Sequence, residues 1–310
     1  MGPKDGINPS IVEYFSLEEY VDRIRISDDV LFHMEDTNKS FDKYLKKIAQ
    51  YSDYSVIYYW LDSLSKEIKS SQAIENHFIN PMTILKNDIF FDNKQMSHTR
   101  IKRLHQFSTC SSMLEDYRTT GTEVRVSSFD KYTKEEIIYW NGALGKDVKK
   151  FMDDFIRIYK SNSLSAINYN PFLKSALLFL LFIRIHPFTD GNGRTGRMIY
   201  NIKFTDSINK IYGSKLKLCP LNISQGILMY KGTYAEKLDN IYFDLQHDSN
   251  DKINDWFNFV LNIVDESIYF NRNRIHRLEE AFNNIEKMKY TDTSDLLEKS
   301  NKMKIKNIIK

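Results

Sequence analysis

The sequence predicts a mostly α-helical fold with one embedded β-hairpin, and three features carry that expectation. Apolar residues recur at helical spacing along most of the chain, one eight-residue apolar run lies past its midpoint, and a single pair of short β-branched stretches interrupts the pattern. Composition agrees with this. A chain of 310 residues with 42% hydrophobic and 27% charged side chains can bury a sizeable core. Its 19 Tyr and 20 Phe against 11 Gly and 6 Pro point to packed helices, not disorder.

Taken in chain order, Ser16 and Glu19 make a capping box before a short amphipathic piece. Ile57, Trp60, Leu61, Leu64 and Ile68 fall at i, i+3, i+4, i+7 and i+11, one face of a helix. A further helix near 97–107 sets Ile101, Leu104 and His105 on one side. The hairpin candidate is the pair 123–128 and 136–140, β-branched and aromatic stretches joined through the polar turn at Asp130 and Lys131. Helices resume over 148–159, 171–185, after Arg194, over 224–244 and over 252–264. The apolar run at 176–183 is far shorter than the about 20 residues of a bilayer span. Bracketed by Lys174 and Arg184, it reads as a central helix buried on most sides.

The formal charge is +3, and much of the excess sits at Lys299, Lys302, Lys304, Lys306 and Lys310. A solvated helix end explains that cluster, so no nucleic-acid partner is expected. Cys110 and Cys219 show neither a CxxC spacing nor a secretory leader, and the opening MGPKDGINPS lacks an apolar h-region. A cytoplasmic protein with reduced thiols and no membrane contact is the expectation.

The chemistry concentrates in HPFTDGNGRTGR, residues 186–197. Pro187 biases His186 away from helical geometry, so the buried helix should end there and project the imidazole into a loop. Gly191, Asn192 and Gly193 can take positive φ angles and turn successive N–H groups inward, a nest for an anion at the start of the next helix. Arg194 and Arg197 emerge on one face of that helix's first turn, where two cations oppose the helix dipole unless a polyphosphate is bound. Asp190, a lone carboxylate at the loop mouth, suits Mg²⁺ whose remaining ligands are water and phosphate oxygens. His186 can take a proton from an attacking hydroxyl.

The segment resembles the Fic (Fido) family signature HPFx(D/E)GNGRxxR at His186, Pro187, Phe188, Asp190, Gly191, Asn192, Gly193, Arg194 and Arg197. The sequence from Gly121 to Val126 resembles the root of that family's flap hairpin, with Val124 where a tyrosine often stands. The stretch from Leu221 to Leu238 resembles the later helix, in which Ser224 precedes Tyr234, a residue of the nucleotide pocket. Trp256 and Phe259 resemble the aromatic pattern closing the core. Upstream, Ser71, Glu75 and Asn76 fit the pattern (S/T)xxxE(G/N) of members that carry their own inhibitory helix before the core, the class II type.

The resemblance implies a Fic-type helical bundle with an embedded β-hairpin flap. It divides the chain into an N-terminal helical region at 1–95 with the inhibitory helix, a catalytic domain at 96–265 and a C-terminal helical segment at 266–310. The activity it implies is transfer of AMP from ATP, with Mg²⁺, to a Ser, Thr or Tyr hydroxyl of a target protein. His186 is then the base and Asp190 the metal ligand. Gly191, Asn192, Gly193, Arg194, Thr195, Gly196, Arg197 and Tyr234 bind nucleotide. The target docks at the flap near 121–140, with self-modification and homo-oligomerisation as further partnerships. Ser71 and Glu75 are inhibitory: if Glu75 pairs with Arg197, the γ-phosphate loses a contact of about 1.5–3 kcal/mol, a penalty of about 10- to 100-fold. Alternatives are removal of AMP with Glu75 positioning water, another Fic-type phosphotransfer, and a nucleotide-responsive binding module. A lysine in place of Gly193 marks the kinases among such relatives, so the glycine argues against that chemistry.

Overall fold

Side-chain caps begin the N-terminal helices. Ser16 Oγ accepts the Glu19 amide and starts α1 (Leu17–Asp22), and Ser27 Oγ accepts the Val30 amide and starts α2 (Asp28–Ile48). The structure, a computed structural model, describes residues 13–50, 53–77, 95–121, 123–124, 128–129, 136–137, 140–161, 170–212 and 221–289. The basic cluster after 298, Cys219 and the N-terminal ten residues lie outside these. Helix α3 (Asp53–Ile74) buries Leu64, Ile68 and Ile74. It stops because Asn76 turns to a φ of 58°, which lets the His77 amide return to the Gln72 carbonyl at 3.0 Å. Asparagine tolerates that left-handed geometry far better than a bulky residue does.

Ser97 caps α4 (His98–Thr109), on which Ile101, Leu104 and His105 are buried together. Strand β1 (Glu123–Val124) pairs antiparallel with β4 (Trp140–Asn141), and β2 (Ser128–Phe129) with β3 (Glu136–Ile137). Each ladder is two residues long, and the residues linking the strands lie outside those described. The mostly helical class therefore holds, while a continuous hairpin flap is not shown.

The remaining α-helices among the described residues are α5 (Val148–Lys160), α6 (Pro171–Ile185), α7 (Asn192–Tyr212), α8 (Ile223–Met229), α9 (Lys231–Asp239) and α10 (Asn250–Lys289). Two expectations need correction. The helix expected over 224–244 breaks at Tyr230 into α8 and α9, and the one expected over 252–264 continues through 289 as α10. Continuity across 265 and 266 means that no loop separates a C-terminal segment at that point.

Helix α6 is central, and each of its residues is buried. Asn170 caps it by accepting the Phe172 and Leu173 amides at 2.9 and 3.0 Å, and Pro171 occupies the first turn, where no N–H is needed. It packs most extensively against α7, with α5 and α10 on other sides, so an apolar run with no polar face is what its position requires. From α10, the buried Trp256 indole donates to the Ala176 carbonyl at 3.1 Å. Among the described residues no helix is long and apolar enough to cross a membrane.

Helix α3 lies along α7, α8 and α10. Glu67 and Ser71 on it and Glu75 one residue past its end recur every four residues, and they meet Asn201, Arg197 and Arg194 of α7. At the Glu67 rung the buried carboxylate accepts from the Ser224 amide at 2.9 Å, the Ser224 hydroxyl at 2.5 Å and the Asn201 amide at 3.0 Å. It thereby caps the start of α8. The seam between α3 and α7 leaves a cavity of about 30 Å³, bounded by Glu67, Ser71, Gln72, Arg194, Arg197 and Asn201. That is room for about one water.

Candidate active site

The loop from 186 to 191 joins α6 and α7, the two helices that pack most extensively against each other among the described residues. His186 ends α6 with a φ of 52°, its own N–H still bonded to the Phe182 carbonyl at 3.0 Å. Its Nδ1 lies 3.2 Å from the Ile183 carbonyl. A carbonyl only accepts, so Nδ1 carries the proton and Nε2 is left with a free lone pair. Burial lowers the imidazole pKa to about 4, with Arg118 adding to the effect, so the ring is neutral at physiological pH. A half-buried neutral imidazole with an open Nε2 is a base ready to accept a proton.

Phe188 anchors the loop in the core. It is fully buried and stacks on the His105 ring at 3.8 Å between centroids, while His105 Nε2 meets the Asp190 carbonyl at 2.9 Å. The Asn192 side chain closes the turn, accepting the Phe188 amide at 2.9 Å and donating to the Phe188 carbonyl at 2.8 Å. The glycine geometry corrects the expected nest. Gly191 alone of the three has positive φ, +72°, because α7 already begins at Asn192. Gly193 matters by its size instead: a Cβ there would lie 2.3 Å from Glu75 Oε1. What faces the loop mouth is thus a helix N-terminus, whose first-turn amides have no intrahelical acceptor.

Asp190 stands at that mouth with 73% of its side chain exposed. Partial burial alone would raise its pKa, but the Gly191 amide and Arg194 outweigh it and hold the carboxyl below its ordinary value. Arg194 and Arg197 are each only 2% exposed. Glu75 bridges them: Arg194 Nε donates to Oε2 at 2.5 Å, and Arg197 Nη2 donates to Oε1 at 2.8 Å. Arg197 also donates to the Ser71 hydroxyl at 2.9 Å and to the Ser71 carbonyl at 2.8 Å. Arg194 Nη2 reaches Asp190 Oδ2 at 3.0 Å. Two buried cations at a helix N-terminus need an anion, and a residue more than a hundred positions upstream supplies it.

Not every residue of the 186–197 run points to the loop mouth. Thr195 turns inward, its hydroxyl donating to the Gly191 carbonyl at 2.9 Å and meeting the Ser108 hydroxyl at 2.8 Å. A Cβ on Gly196 would lie 2.9 Å from the Phe179 ring, so this glycine lets α7 approach α6. Both positions thus serve the packing of α7 against its neighbours. Tyr234 lies beside Arg197, between Phe179 and Trp256, with ring centroids 6.3 and 6.1 Å away. Burial pushes its phenol up to about 12. Ser224 instead faces Glu67.

Three residues of the site escaped the reading of the sequence. His105 appears there only as part of a helix face, Glu67 not at all, and Arg118 not at all. Arg118 donates from Nε to the His186 carbonyl at 2.6 Å and from Nη1 to the Gly121 carbonyl at 2.9 Å. Its acceptors are main-chain carbonyls, near and far along the chain, so no side-chain pattern announces them.

Residues 95–202 match the family model described as Fic/DOC family. Two solved structures are similar in fold. A Fic family protein from Desulfovibrio desulfuricans G20 superposes with a TM-score of 0.57 at 16% identity, over 80% of this chain and 76% of its own. A Fic domain containing signaling protein from Bacteroides thetaiotaomicron VPI-5482 does so with a TM-score of 0.52 at 15% identity, over 77% of this chain and 97% of its own. The matched residues include α4, α6, the loop that carries His186 and Asp190, and the first turns of α7 with both buried arginines; the chain contains a Fic/DOC family domain.

Proposed function

We propose that the chain is a protein adenylyltransferase held in check by Glu75. The observation that carries the reading is one carboxylate bridging two buried arginines at a helix N-terminus beside a neutral imidazole. Groups with that charge and geometry suit a polyphosphate, and Glu75 holds the place of its terminal oxygens. Arg194 and Arg197 would bind the β- and γ-phosphates, the first amides of α7 would face phosphate oxygens, and Tyr234 would border the nucleotide. Asn192 contributes through its main chain, since its amide is committed to Phe188.

His186 Nε2 takes the proton of a Ser, Thr or Tyr hydroxyl as the oxygen attacks the α-phosphorus. The bond from that phosphorus to the bridging oxygen breaks, and pyrophosphate leaves. Asp190, exposed and ionised, fits Mg²⁺: it is a single hard oxygen donor beside phosphate-binding arginines, which suffices when phosphates supply other ligands. The ion, when bound, neutralises phosphate charge. A target segment pairing at β1, near 121–140, would bring its hydroxyl toward His186, and this chain itself is one such target. Each Glu75 oxygen is engaged by an arginine, which favours the inhibitor over a role in ordering water for AMP removal.

The test is incorporation of label from α-labelled ATP into protein, with γ-labelled ATP as control. Transfer by the Glu75→Gly variant from the α-labelled nucleotide alone, abolished by a further His186→Ala, supports the reading. Label from the γ-position would make it a phosphotransferase.

A further inference from the structure

We propose that Arg118 is the positioning residue for the His186 base, a clamp that fixes the left-handed turn and joins it to the root of the β1 and β4 ladder. Its guanidinium donates to four main-chain carbonyls: His186, Ile185 at 3.1 Å, Gly121 and Ala143. Its own amide donates to the Pro187 carbonyl at 2.9 Å. Among the described residues no carboxylate pairs with it. A cation spent wholly on backbone oxygens is a structural fastener, and the place it fastens is unusual.

Helix α6 ends inside the protein, and its last carbonyls have no intrahelical donor. The loop that follows is buried at Pro187 and Phe188, which limits access of water to those carbonyls. A positive charge at a helix C-terminus is also favoured by the dipole. His186 pays about 1–2 kcal/mol for its left-handed conformation, and the turn persists because its neighbours hold it. Arg118 supplies that hold from the segment leading into β1. Ala143 N–H donates to the Ile185 carbonyl at 3.4 Å, and Gly145 N–H to the Gly121 carbonyl at 3.0 Å, so the turn and the strand root form one bonded unit. The imidazole and the strand that would receive a target therefore keep a fixed separation.

The kinetic consequence rests on the transfer reading above; the exchange measurement does not. In the full-length Glu75→Gly background, Arg118→Lys and Arg118→Gln should each lower kcat by about 100-fold with KM for ATP unchanged, as expected for a base displaced by about 1 Å. Lysine keeps the charge but cannot span four carbonyls, so it should fail as glutamine does. Rates restored by lysine, or a loss confined to KM, would overturn the clamp. Native-state amide exchange on the wild-type protein tests it without any variant having to fold. The amides of Arg118, Ala143, Gly145 and His186 should open together with one common free energy, and separate opening of His186 would refute the unit. If exchange is shared yet no variant transfers AMP, the transferase reading fails while the clamp stands.

Discussion

Replacing Glu75 with glycine should produce opposite effects on stability and on activity, and both follow from the same two ion pairs. The carboxylate accepts from Arg194 at 2.5 Å and from Arg197 at 2.8 Å. Charge-assisted bonds of this kind contribute about 1.5–3 kcal/mol each, a gross of about 3–6 kcal/mol. Glu75 is 23% exposed and must shed its water to make them, so about 3 kcal/mol is the fair figure for what ATP must displace. That corresponds to about 100-fold in labelling by α-labelled ATP at subsaturating nucleotide. Without nucleotide the variant leaves two cations, each 2% exposed, with no bridging anion. Its stability should fall by about 3–5 kcal/mol, a Tm drop on the order of 10 °C. Saturating ATP with Mg²⁺ should then raise Tm by more in the variant than in the wild type. A clear drop in Tm with unchanged labelling would refute the inhibition: Glu75 would then neutralise the arginines without competing with substrate.

Three further outcomes are expected. In the Glu75→Gly background, the acid limb of the pH–rate profile should lie well below the free imidazole value of about 6.5, because burial keeps His186 neutral down to about 4; a limb near 6.5 would mean another base. The stability tied to neutral His186 is full above the free value and lost as pH falls through the folded one. Glu67→Ala should cost about 2–4 kcal/mol in urea melts, since it strands the Ser224 and Asn201 donors, and should raise labelling by loosening α3. Burial raises the Glu67 pKa, so its contribution is full below the unfolded glutamate value and declines as pH rises through the folded one; the cost of the variant should shrink toward alkaline pH. Asn76→Ala should cost about 1–2 kcal/mol, with Asn76→Gly near neutral, because φ at this position is 58°; equal melts for the alanine variant would show that the turn relaxes freely.

Much of the architecture is legible along the chain because helix formation and capping are local. Ser16, Ser97 and Pro171 mark starts that the structure reproduces, and the run at 176–183 announces a helix without a polar face. The extents of α8, α9 and α10 are less legible. A break at Tyr230 and a helix running to 289 depend on what packs against each turn, which periodicity does not report. The asparagine of the (S/T)xxxE(G/N) pattern gains a physical reason, since only a residue tolerant of positive φ lets α3 stop with Glu75 over the arginines.

The sequence by itself determined the chemical inventory of the site: an imidazole at a helix end, an exposed carboxylate, and two arginines three residues apart at a helix start. These relations span one or two turns, and bond geometry enforces them wherever the segment folds. Only the tertiary structure decided that Glu75 takes both arginines, not Arg197 alone, that Thr195 and Gly196 face the core, and that Arg118 and His105 hold the loop. Those contacts join segments many turns apart, and several of them end on main-chain carbonyls, which every residue carries and no residue type reveals.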